Sequence, residues 1–211
     1  MCFDVDSTVC TDEGIDELAA FCGAGEAVAA LTAKAMGGSV PFQDALAARL
    51  ELIKPGAADV AAFLAARPPR LSPGIADLVA ALSQRGTAVF LVSGGFTQMI
   101  HPVADLLRIP RERVFANTLL FRDGAGEYAG FDKTAFTSKS GGKAEAIKHI
   151  KASGAFAPLF MIGDGATDLE ARAPGGADAF IGYGGVARRP VVEKGADWFV
   201  TSFAPLIDAL R

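Results

Sequence analysis

The chain has 211 residues, enough for one moderate domain carrying an insertion or for two small ones, and 51% of them are hydrophobic, ample for a buried core. A net charge of −4 argues against a general binder of nucleic acid or anionic membrane. Only three cysteines occur, Cys2, Cys10 and Cys22, which give no disulfide framework and no zinc spacing and point to a reducing compartment.

The chain opens on apolar Met1-Cys2-Phe3 and then places two carboxylates one residue apart, Asp4-Val5-Asp6. At the end of a strand the chain turns, so both carboxylates can approach one site. An EF-hand starting at Asp4 would need glycine sixth and glutamate twelfth, where Val9 and Ile15 stand, so that calcium loop is excluded. No secretory signal is visible, and no apolar run reaches the ~18 residues of a membrane span.

Residues 10–70 are rich in alanine, with helix-period segments over 15–21, 27–35, 42–52 and 58–65 and no convincing strand. Pro68-Pro69 and Ser72-Pro73-Gly74 close the block. It reads as a helical cap (10–70) inserted after the first strand of a core formed by 1–9 and 71–211.

Beyond the cap, apolar runs alternate with amphipathic stretches. Strands are expected at Thr87–Val92, Pro158–Ile162, Ala179–Ile181 and Trp198–Val200, with helices over 75–85, 98–107 and 143–152. Continuous apolar strands alternating with helices indicate an α/β fold, a Rossmann-like parallel sheet covered on both faces. Asp123-Gly124, between Thr118–Phe121 and Glu127–Phe131, signals a β-hairpin.

In such sheets ligands sit at the carboxyl ends of the strands, and the chemistry-bearing motifs fall there. Ser93-Gly94-Gly95 offers a hydroxyl and free amides to a phosphate oxygen, although a serine capping the next helix explains it equally well. Lys143 opens a helix, where anions rather than cations are favoured, which suits a lysine serving an anionic ligand. In Gly163-Asp164-Gly165-Ala166-Thr167-Asp168, glycines permit a tight turn and Asp164 and Asp168 offer hard oxygens to Mg²⁺. Gly182-Tyr183-Gly184-Gly185-Val186-Ala187 imitates a dinucleotide fingerprint, but Pro190 interrupts the helix it requires. His101 and His149 have no nucleophile pattern near them and read as structural or surface residues.

Taken in order, FDVDST, SGG, SGGK and GDGATD resemble the four motifs of the haloacid dehalogenase-like phosphatases. GIDEL (14–18), MGGSVPF (36–42), VFAN (114–117), GEYAGFD (126–132) and AFIGYGG (179–185) extend the resemblance to the phosphoserine phosphatase branch along nearly the whole chain.

The resemblance implies that Asp4 is the nucleophile, taking the phosphoryl group as an aspartyl phosphate. Asp6 is then the general acid and base, and Ser93 and Lys143 hold the phosphate. It implies Mg²⁺ bound by Asp4, the carbonyl of Asp6 and Asp164, with Asp168 close by. Glu13, Met36, Gly37 and Arg49 would grip the amino-acid part of phosphoserine, with lesser contacts from Gly94 and Thr167. Arg49 offers a planar fork suited to a carboxylate. Like charges flanking Asp6, from Asp4 and Asp164, would raise its pKa. The implied protein acts on a small molecule in the cytoplasm or an organelle stroma, binds no nucleic acid or membrane, and is often a homodimer. The family carries a helix and the beginning of the first strand ahead of the nucleophile, so here the central strand is expected to be a stub. Two rivals are a phosphatase for another small phosphomonoester and an inactive phosphoamino-acid sensor. Retention of Arg49 and Glu13 disfavours the first, and retention of Asp4 and Asp6 the second.

Overall fold

The computed structural model describes residues 1–35 and 41–211. Its central feature is a six-stranded, all-parallel sheet whose strands follow apolar runs. In chain order they are β1 (Cys2–Phe3), β2 (Phe90–Phe96), β3 (Val114–Asn117), β6 (Phe160–Gly163), β7 (Ala179–Tyr183) and β8 (Trp198–Val200). A two-stranded antiparallel sheet of β4 (Leu119–Phe121) and β5 (Tyr128–Phe131) forms the hairpin. The order across the large sheet is β3-β2-β1-β6-β7-β8, so β1, only two residues long, is central, flanked by β2 and β6.

Side-chain alternation splits the core into two layers. Phe3, Leu91, Ile162 and Ile181 face one side and Cys2, Phe90, Val92, Met161 and Phe180 the other. The first face is covered by α5 (Ile75–Gln84), α6 (Thr97–Leu106) and α10 (Ala204–Ala209), the second by α7 (Gly142–Ala152) and α9 (Pro190–Gly195). In α5 the buried residues are Ile75, Leu78, Val79 and Leu82, the i, i+3, i+4, i+7 stripe of a helix resting on a sheet.

Among the described residues, the α-helices α1 (Gly14–Phe21), α2 (Gly25–Ala35), α3 (Phe42–Ile53) and α4 (Ala57–Ala66) lie between β1 and α5. They build a separate apolar cluster around Leu18, Val28, Leu46, Leu50, Val60 and Phe63. Leu119 and Phe131 of the hairpin belong to the same cluster, and Ala57 N–H donates to the Gly126 carbonyl (2.7 Å). The hairpin thus packs with the helices, a placement its turn sequence did not indicate. The chain leaves the core and returns to it side by side: Thr11 N–H donates to Arg70 O (2.9 Å) and Ser72 N–H to Val9 O (2.8 Å).

The expected strands and helices are present with small shifts of boundary, and β3, not anticipated as a strand, forms one edge of the sheet. Ser93-Gly94-Gly95 lies within β2, where the register against β3 shifts between Val92 and Phe96. Among the described residues no helix is long and apolar enough to cross a membrane.

Candidate active site

The site is assembled at the carboxyl edge of the sheet. Asp4 follows β1, and its backbone N–H donates to Ile162 O (2.9 Å) of β6. One wide turn over Val5–Val9 comes next, closed by Cys10 N–H to Val5 O (2.8 Å), with Ser7 at φ 52°. This reversal keeps Asp6 beside Asp4 instead of sending it down a strand.

Lys143, on the first turn of α7, lies between two carboxylates: its Nζ is 2.9 Å from Asp4 Oδ1 and 2.5 Å from Asp168 Oδ1. Burial opposes its charge, but Asp168 and Asp4 more than offset that and hold the ammonium above the ordinary lysine range. Asp4 Oδ1 also accepts from Val5 N–H (2.7 Å), which leaves Oδ2 without a hydrogen-bond partner among the described residues. Asp168 is fully buried, and its Oδ2 accepts from Gly165 N–H (2.9 Å). Burial and then the charge of Asp4 push Asp168 upward, while Lys143 pulls the other way.

Asp168 reaches Lys143 because Gly163 stands behind it. A Cβ on Gly163 would lie 2.2 Å from Asp168 Cγ. Oxygens of Asp4, Asp164 and Asp168, all buried, lie within 4.8 Å of one another, a set of hard donors that fits a divalent cation of the Mg²⁺ type. The Asp6 side chain is not part of this set.

Asp6 Oδ1 accepts from Gly14 N–H (2.7 Å), and Oδ2 lies 3.1 Å from where a Cβ on Gly95 would sit. Burial first, then Asp4, then Glu13 raise its pKa from 3.8 to about 7. The direction agrees with the sequence-based expectation, but burial leads and the second charged neighbour is Glu13 where Asp164 was expected. Ser93 is fully buried, and its Oγ accepts from Gly95 N–H (2.9 Å), so the hydroxyl hydrogen stays free to donate elsewhere.

A cavity of ≈ 200 Å³ joins Asp4, Asp6, Lys143 and Asp164 to the helical insertion, with Glu13, Arg49, Gly94 and Thr167 also in its walls; Ser93 and Asp168 lie behind it, fully buried. Arg49 points across from α3, with burial lowering its pKa; among the described residues its one hydrogen bond goes to Ala45 O (3.3 Å) and no carboxylate pairs with it. Met36 and Gly37 lie outside the described residues. A larger cavity of ≈ 580 Å³ also borders Asp6, walled by Val5, Phe63, Pro69 and Met99 together with the charged Asp12, Glu17, Arg67 and Arg70.

Arg189, absent from the sequence-based set, enters the site from the segment after β7. Its Nε donates to Asp164 Oδ2 (2.9 Å), and a terminal nitrogen lies 3.8 Å from Glu13 Oε1. Glu13 in turn accepts from Ser7 Oγ (2.7 Å), and Thr8 Oγ1 donates to Asp164 Oδ1 (3.4 Å). Arg189 thus places a second arginine, beside Arg49, in the wall of the cavity. The one signal in the sequence was a basic pair, Arg188-Arg189, following a strand end.

A parallel α/β sheet with paired aspartates after its central strand, and with lysine, serine and further aspartates at neighbouring strand ends, defines a class of phosphoryl-transfer hydrolase. The family model of the haloacid dehalogenase-like hydrolases matches residues 1–172, and the chain belongs to that family. Within it the chain belongs to the phosphoserine phosphatases. It is 60% identical over 210 residues to the chloroplastic phosphoserine phosphatase of Arabidopsis thaliana, covering 100% of this chain and 71% of that one. Among solved structures, it superposes with TM-score 0.83 and 25% identity on the phospho-aspartyl intermediate analogue of a phosphoserine phosphatase, covering 100% of this chain and 97% of that one. It also matches part of DsGPDH of Dunaliella salina, with TM-score 0.84 and 40% identity; there 99% of this chain spans 35% of the other.

Proposed function

We propose that the protein hydrolyses O-phospho-L-serine to L-serine and phosphate through a phosphoryl-aspartate on Asp4, completing serine biosynthesis. The observation that carries this reading is a pair of unlike carboxyls two residues apart. Asp4 is in ion-pair contact with Lys143, while Asp6 is pushed up to about 7. One suits a nucleophile and the other an acid that still holds its proton near neutral pH.

In the first half-reaction Asp4 Oδ2 attacks phosphorus, the bond from phosphorus to the serine oxygen breaks, and Asp6 gives its Oδ2 proton to that oxygen. In the second, water attacks the same phosphorus, Asp6 takes a proton from it, and the Asp4 carboxylate departs. Ser93 Oγ–H and Lys143 hold the phosphoryl oxygens, which neutralises charge where it spreads in the transition state. Asp4, Asp164 and Asp168 would hold Mg²⁺, which when bound supplies charge neutralisation for the dianionic substrate. Arg49 and Glu13 line the same cavity, suited to the carboxylate and the amine of the serine part. The helical insertion 10–70 acts as the cap that closes over it. The chloroplastic relative supports an organelle stroma as the compartment, with the cytoplasm as the alternative.

Rapid quenching of the reaction with ³²P-labelled phosphoserine tests this reading. The label is expected on the peptide carrying Asp4, and a label mapping to any other residue overturns the assignment.

A further inference from the structure

The Ser93-Gly94-Gly95 segment has a feature that the four motifs do not account for. The register of β2 against β3 shifts between Val92 and Phe96, so the regular ladder does not continue through Gly94. A side chain takes its place. Asn117, the last residue of β3 and fully buried, donates from Nδ2 to Gly94 O (2.7 Å). Gly94 O can only accept, so that contact fixes which way round the amide sits, and Thr137 Oγ1 then donates to Asn117 Oδ1 (3.2 Å).

Gly94 O and Gly95 N belong to one planar trans peptide, so they point in opposite directions. Pinning the carbonyl on the Asn117 side therefore sets where the Gly95 N–H points, and it points at Ser93 Oγ, 2.9 Å away. Because Ser93 Oγ accepts that bond, its own hydrogen is left to donate elsewhere, and the neighbouring Gly94 and Gly95 both line the site cavity. A chain of directed bonds runs from Thr137 through Asn117 and one peptide plane to the serine hydroxyl. Every side chain in it is buried: Ser93 and Asn117 at 0% exposure and Thr137 at 3%. Chains of this kind polarise one another and are costly to leave partly satisfied.

We infer that Asn117 is a positioning residue for phosphate capture: through the Gly94–Gly95 peptide it orients the Ser93 hydroxyl toward the phosphoryl oxygen. The inference rests on the reading of Ser93 as a phosphate contact. It adds a residue that touches neither substrate nor cation, and a role for Thr137 in holding the Asn117 amide.

The test is a double-mutant cycle on the full chain between Asn117→Asp and Ser93→Ala. Calorimetric affinity for inorganic phosphate with Mg²⁺ present is read beside kcat and KM for phosphoserine. Asn117→Asp keeps the size and the acceptor facing Thr137 but turns an acceptor toward Gly94 O. It should weaken phosphate binding about tenfold, equivalent to ~1.4 kcal/mol. In the Ser93→Ala background the same change should cost less than about twofold, because the residue it acts through is gone. Equal factors in both backgrounds overturn the inference, as does wild-type phosphate affinity in Asn117→Asp. A purely structural asparagine would lower the melting temperature and leave the affinity per folded molecule unchanged. Should Asn117→Asp fail to fold, Thr137→Val and Thr137→Ser decide the matter: valine should weaken phosphate binding and serine restore it, and valine with wild-type affinity overturns the inference. If the wild type does not turn over phosphoserine but the cycle is non-additive, the substrate reading fails and the positioning role stands. An additive cycle in an active enzyme has the opposite meaning.

Discussion

Replacing Lys143 by methionine keeps an unbranched side chain one atom shorter and removes the ammonium that lies between Asp4 and Asp168. In the wild type its ammonium is 2.9 Å from one carboxylate and 2.5 Å from the other, and the three side chains are 8%, 11% and 0% exposed. Solvent is therefore in no position to take over its role. Removing one partner of a buried ionic group strands the remaining charge, at ~3–5 kcal/mol. For a chain of this size that corresponds to a melting temperature lower by ~6–20 °C, at ~2–4 °C for each kcal/mol. The assay is thermal unfolding at neutral pH in chelator, repeated with Mg²⁺. The cation should raise the melting temperature of Lys143→Met more than that of the wild type, because it replaces charge that only the variant lacks. Turnover should be lost in both conditions. A variant melting within about 2 °C of the wild type in chelator, under the same scaling, would refute the argument that Lys143 compensates a buried carboxylate pair.

Asp6→Asn should abolish turnover yet gain stability relative to the wild type as pH rises. The native state holds the Asp6 proton to about 7 whereas the unfolded chain releases it near 3.8, so wild-type stability falls across that window and the asparagine variant is spared the loss. In chelator the gap between the two proteins should widen from pH 4 to pH 7, and a gap independent of pH would show that Asp6 is not raised. Arg49→Ala should lower kcat/KM for phosphoserine about tenfold to more than a hundredfold, the equivalent of a lost charge-assisted bond of ~1.5–3 kcal/mol. It should also narrow the preference over phosphoethanolamine, with Arg49→Lys restoring it in part; an unchanged ratio between the two substrates would remove Arg49 from carboxylate recognition. Gly163→Ala would place a methyl 2.2 Å from Asp168 Cγ, so it should displace Asp168 from Lys143, lower stability by at least ~1–3 kcal/mol and abolish activity. Unaltered activity in that variant would mean Asp168 is free to move.

What the sequence made legible follows a physical pattern. β6 and the Gly163-Asp164-Gly165 turn were readable because a fully buried strand is a continuous apolar run and glycine ends it. The helices of the insertion were readable from their period, and the hairpin from Asp123-Gly124. β3 was not, because Val114, Phe115 and Ala116 are only half-buried and an edge strand of four residues carries little pattern. The hairpin's place in the apolar cluster of the helical insertion was hidden too, since a turn signal fixes two strands against each other and not against a third element. Arg189 was missed because it meets Asp164 only through the fold, 25 residues on. Asp6 was expected to be raised by neighbouring charge, but enclosure dominates, and enclosure is a property of packing that spacing does not convey. Asn117 lay in a segment quoted for its resemblance, with nothing in the local pattern to indicate that its amide stands in for a ladder bond.

The central claim is that Asp4 transfers a phosphoryl group from phosphoserine with the help of a divalent cation. Its most direct test is the release of phosphate from O-phospho-L-serine by the purified wild type and by Asp4→Asn, each with Mg²⁺ and with excess chelator. Release by the wild type with Mg²⁺ alone, and none by Asp4→Asn in either condition, is the predicted result. Undiminished release in chelator, or release by Asp4→Asn at the wild-type rate, would contradict it.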